Sequence, residues 1–228
     1  MRKTITCMTS AAAIVALLAV GCSHSTSHQM TPNTLAAVPR SAGATPTATP
    51  AAELRTGLNA LLSEHVILAA AATGAAMGER SAEFEAAAGA LDANSVDLAK
   101  AIGSAYGPDA EKAFLPLWRK HIGFVVEYTQ GVASQDKTKQ DKAVADLVQY
   151  TQDFGAFLSS ANPNLPKHVV ADLVKTHVLT LKDVIDAQAS GNAVRAYTAL
   201  HHAASHMAMI ADPLSDAIVK QFPGKYAI

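Results

Sequence analysis

Beyond residue 22 the chain contains no cysteine; Cys7 and Cys22 are its only two. That absence excludes a thiol nucleophile, a thiolate metal site, a redox pair and a disulfide staple from any folded region downstream. Such a region must be held together by core packing. Other signatures are missing too. There is no G-x-S-x-G, no H-E-x-x-H and no phosphate-cradling glycine loop. The Glu-x-x-His pairs of carboxylate-bridged metal bundles are also absent, since Glu64 and His65 are adjacent and point two ways. Basic residues number 18 against 19 acidic ones, with no basic patch and no interleaving of aromatic and basic residues, which argues against nucleic acid as a partner. What remains favours binding over catalysis.

The N-terminal segment is of a different kind. Arg2 and Lys3 precede an apolar run over residues 11–20 that ends in Ala19-Val20-Gly21-Cys22. A charged start, a short apolar stretch and small residues before a cleavage point are what a secretory signal needs, and the run is too short to span a bilayer. The small residues followed directly by cysteine resemble the lipobox of bacterial lipoproteins. The resemblance covers this segment only. It implies a signal peptide over 1–21, lipidation of Cys22, and export to a membrane-anchored position facing the periplasm or the cell exterior. The membrane would then be contacted through the lipid alone. Without Arg2 and Lys3 the basic count is 16 against 19 acids, a net charge of −3. Residues 22–50 are rich in Ser, Thr, Pro and Ala without apolar periodicity and read as a disordered tether. His24, His28 and Met30 fall within it.

From 51 to 228 the chain is dense in Ala and Leu, and its apolar residues recur at helical spacing. Breakers fall at Gly78–Ser81, Gly107-Pro108, Ser134–Lys137, Asn162-Pro163-Asn164 and Gly191-Asn192. An all-α domain of six helices follows, at 51–77, 81–105, 109–134, 138–161, 166–190 and 193–221. These pair into hairpins over 51–105, 109–161 and 166–221. The pattern repeats every 56 residues. His65, His121 and His177 share that offset, as do Leu61, Leu117 and Leu173, and Val66, Ile122 and Val178. Twenty-nine residues after each histidine come Asn94, Tyr150 and His206. One helical hairpin is therefore expected three times over. The midpoints of the pairs, 79.5, 135.5 and 191.5, fall in expected turns, so each histidine should stand at the height of its partner, halfway along the domain.

Two readings of this polar layer stay open. Buried imidazoles cost a few kcal/mol unless hydrogen-bonded. In the first reading His65, His121 and His177 bond Asn94, Tyr150 and His206, or Asp97 and Asp153 nearby, and fix the packing register without any ligand. In the second the layer holds copper or zinc. If the hairpins close round a pseudo-three-fold axis, the three histidines converge; if they stack in a row, they cannot all meet. The last helix supplies another set, His202, His206 and Met209 at spacings of four and three, with His177 at the same height. Imidazole with thioether suits copper, so these four residues are the expected metal ligands. Trp118 reads as a large core residue, and His168 and His201 as solvated. The sequence names no protein partner.

Overall fold

The computed structural model describes residues 47–226; Cys22, the expected signal segment and nearly all of the tether lie outside them. The described chain is six α-helices: α1 (Pro50–Met77), α2 (Ser81–Tyr106), α3 (Pro108–Ala133), α4 (Lys137–Ala161), α5 (Lys167–Ala189) and α6 (Ala193–Gln221). Each end lies within a residue or so of the breakers read in the sequence. Each helix packs on the next, α6 packs back on α1, and α1, α3 and α5 also touch one another. The hairpins therefore form a closed ring with the odd-numbered helices innermost. Polar contacts seal the seam between the first and last helices. Asn59 Nδ2 donates to Asp212 at 2.8 Å, and Arg55 pairs with Asp212 and Asp216.

The period of 56 is written into the backbone as well as the side chains. Glu79, Gln135 and Gly191 have φ of 55°, 55° and 67°. In each hairpin turn the residue after them bonds back five positions: Arg80 N to Ala75 O, Asp136 N to Gly131 O, Asn192 N to Ala187 O. The left-handed residues themselves bond to Ala76, Val132 and Gln188 carbonyls. All three helices end in the same Schellman closure, which satisfies carbonyls that the helix terminus leaves free. The next helix then starts at once. Asp136 caps Lys139 N and Asn192 caps Arg195 N, whereas Arg80, at the equivalent place, makes no cap and pairs with Glu83.

A left-handed φ costs a residue with a Cβ about 1–2 kcal/mol, and glycine almost none. Gly191→Ala should therefore destabilise the protein by about 1 kcal/mol, and Gln135→Gly should stabilise it by up to that amount. Urea denaturation checks both signs. Equal stability of Gly191→Ala and the parent would contradict this account of the turn. A second repeated position serves helix approach. A Cβ on Gly155 would meet the Lys167 carbonyl at 2.6 Å, and the equivalent residues are the buried Ala99 and Ala211.

Candidate metal centre

His65, His121 and His177 stand near mid-length of α1, α3 and α5, the inner helices, and are 1 %, 2 % and 4 % exposed. Ring closure turns their equivalent positions toward one point. One ring nitrogen from each lies within 4.8 Å of the other two, and the Nε2 atoms of His65 and His121 are 3.3 Å apart. Two nitrogens bound to one tetrahedral ion at 2.0–2.1 Å are also separated by roughly 3.3 Å. Three buried histidines thus form a cluster able to hold a metal ion. No Asp or Glu joins them among the described residues.

The surroundings are aromatic and apolar. Trp118 packs its ring against His65 at 4.8 Å and edge-on to His121 at 4.5 Å, while Tyr150 stacks on His121 at 5.0 Å and 30°. Burial is the main reason all three imidazoles resist protonation. It holds His65 well below the usual histidine range, with His121 and His177 adding to the effect. His121 is lowered to about 3 by burial and then by His177, against a smaller opposing pull from the Trp118 carbonyl. His177 is lowered to about 4 by burial and then by His206. At neutral pH the three are neutral, the form that donates a lone pair to a metal. The Nδ1 atoms of all three make no hydrogen bond within the protein.

The residues expected to face the histidines do reach this layer, with different partners. Asn94 Nδ2 donates to the Leu61 carbonyl at 3.0 Å and to Glu64 at 2.8 Å, and His206 Nε2 meets the Leu173 carbonyl at 2.9 Å. Leu61 and Leu173 are four residues before His65 and His177, so the same helix-to-backbone clamp recurs in the first and third hairpins. A helix carbonyl points toward its C terminus, which carries its oxygen up to the layer. In the second hairpin Tyr150 lies flat on the imidazole and its hydroxyl, fully buried, has no partner. The expected bonds from the histidines to Asp97 and Asp153 are not formed. Asp97 pairs with Lys100 and Asp153 with Gln149 and Lys120, toward solvent.

The expected ligand set on α6 is not brought together. His202 is exposed beside His201, 5.7 Å between ring centroids, and Met209 is 58 % exposed. Ala203, Met207 and Leu214 take the inward face of that helix, which leaves His206 at its edge and rotates His202 and Met209 out. His177 joins His65 and His121 instead. Sequence reasoning named Trp118 as core but missed that it flanks two of the histidines. Its place one turn before His121 is the signal that would have found it.

Fold and site define a closed all-helical bundle with a buried three-histidine cluster that can hold a metal. No protein-family model, no curated protein and no solved structure matches the chain.

Proposed function

We propose that this chain is an exported binding protein, anchored by lipid on Cys22, that holds one copper ion as Cu(I) between His65, His121 and His177. One observation carries the reading: three buried imidazoles each bring a ring nitrogen within 4.8 Å of the other two, with no acidic side chain in the group. The neighbouring Asn94 and His206 bond backbone carbonyls, which leaves the cluster to the three imidazoles.

Charge favours copper over zinc here. No carboxylate belongs to the cluster, and its walls are aromatic and aliphatic. The cost of placing an ion in a medium of low dielectric grows with the square of its charge. A monovalent ion therefore pays about a quarter of what a divalent one does, whereas zinc would need an accompanying anion. Three imidazoles also suit both metals by ligand type, so charge decides between them.

The test is anaerobic titration of the full chain with Cu(I) against a competing chelator. One copper per chain should bind with Kd below about 1 µM, more than about 8 kcal/mol of binding free energy. No saturable uptake, or tighter uptake of Zn²⁺ under the same conditions, would overturn the assignment.

A further inference from the structure

The metal reading leaves the ion with three protein ligands, and a cavity of about 80 Å³ reaches two of them. It runs beside α1 from Ala76, Phe84 and Gln130 inward past Ala72 and Val125 to His65 and His121. From Ala76 to His65 that is roughly 16 Å of helix. Gln130 is exposed, Ala76 and Phe84 half-buried, and the two histidines buried, so the cavity joins the surface to the cluster.

The repeat explains why the opening lies here. α1 carries alanine at 69, 72 and 76; the equivalent positions are Val125, Tyr128 and Val132 in α3, and Leu181, Val184 and Gln188 in α5. Larger side chains stand at these positions in the sister hairpins, and the corresponding cavity beside α3 is only about 20 Å³ and touches no cluster histidine. The walls are almost wholly apolar, and most of their other polar groups are engaged. The Thr73 hydroxyl donates to Gln188, the Thr129 hydroxyl to the Val125 carbonyl, and the Gln130 oxygen accepts from Lys139. The imidazoles are therefore the polar feature at the inner end.

We infer, resting on the copper reading, that the metal's fourth position faces this cavity and takes a small uncharged ligand of two or three atoms that enters between α1, α2 and α3. A water occupies about 10–15 Å³ on the same measure, so such a molecule fits. Nearly apolar walls without a charge disfavour hydrated ions and favour a neutral molecule. An ion with three histidines and one open position is the arrangement of sites that bind an exogenous ligand.

Carbon monoxide serves as the probe, because it binds Cu(I) and reports through its own infrared band. The copper-loaded full chain should show one C–O stretching band, saturating at one CO per copper. Ala72→Phe should slow CO uptake at least tenfold with copper content unchanged. Ala76→Phe, at the half-buried mouth, should do the same and carries the test if the deeper substitution fails to fold. A chain that holds one copper but shows no C–O band overturns the open position. Wild-type uptake rates in the folded variants overturn the route. Failure to bind copper at all overturns the metal reading itself, and metal analysis separates that result from the other two.

Discussion

At pH 5 the metal-free protein should be at least about 4 kcal/mol less stable than at pH 7.5. The effect comes from the three buried histidines. An unfolded histidine titrates near 6.5. In the folded state His121 is lowered to about 3 and His177 to about 4, with His65 shifted in the same direction. Below pH 6.5 the unfolded chain therefore binds protons that the folded chain refuses, so stability falls as pH falls. Loss begins near 6.5 and continues until the folded-state values are reached, at about 4 and 3. At pH 5 each of His121 and His177 has lost 1.5 pH units of this advantage, about 2 kcal/mol apiece at 1.36 kcal/mol per unit. His65 adds to the loss. Domains of this kind have a total stability of about 5–15 kcal/mol, so mild acid should bring the metal-free protein close to unfolding. Urea titrations followed by helical circular dichroism at pH 7.5, 6 and 5 measure it directly. A flat profile over that range would contradict the burial of neutral imidazoles. Bound metal competes with protons for the same nitrogens, so loading should move the acid transition to lower pH.

Substituting one cluster histidine by leucine should cost metal affinity far more than it costs stability. His65→Leu removes one of the three proposed ligands. Losing an outer hydrogen-bond partner of a ligand already costs about 10–100-fold in metal affinity, so losing the ligand itself should cost at least about 100-fold. The same change removes a buried imidazole whose Nδ1 has no partner, but it also breaks the Nε2 contact with His121 at 3.3 Å. Without metal the two effects oppose one another, so stability at pH 7 should change by no more than about 1–2 kcal/mol. His202→Ala and Met209→Ala should leave affinity unchanged, because both side chains face solvent. Calorimetric titration and urea denaturation of the same samples give both numbers. A large loss of stability in His65→Leu with unaltered copper uptake would mean that the histidines serve packing only.

Most of the helical architecture was visible in local chemistry. Gly-Pro at 107–108, Asn-Pro-Asn at 162–164 and the runs around 79, 135 and 191 mark helix ends because these residues favour turns and caps. The offset of 56 placed His65, His121 and His177 in one layer before any contact was known. Whether that layer closes to a point depends on α6 packing back on α1. That seam is made by pairs such as Asn59 with Asp212, 153 residues apart, which leave no local trace. The misreading of α6 has a similar origin. Spacings of four and three show that His202, His206 and Met209 share a face, but not whether that face turns inward. Ala203 and Met207, one position along from His202 and His206, took the interior because together with Leu214 they form the wholly apolar stripe. The cavity beside α1 was also written in the sequence, as alanine at 69, 72 and 76 against larger residues one and two periods later. Its meaning depended on knowing that α1 is an inner helix.

The central claim is that His65, His121 and His177 together bind one metal ion. X-ray absorption at the copper edge, on the full chain loaded anaerobically with one Cu(I), tests it most directly. The account predicts three imidazole nitrogens at about 2 Å and no sulfur ligand. A spectrum with a sulfur neighbour, or with imidazole scattering that survives intact in His65→Leu, would place the copper elsewhere and contradict it.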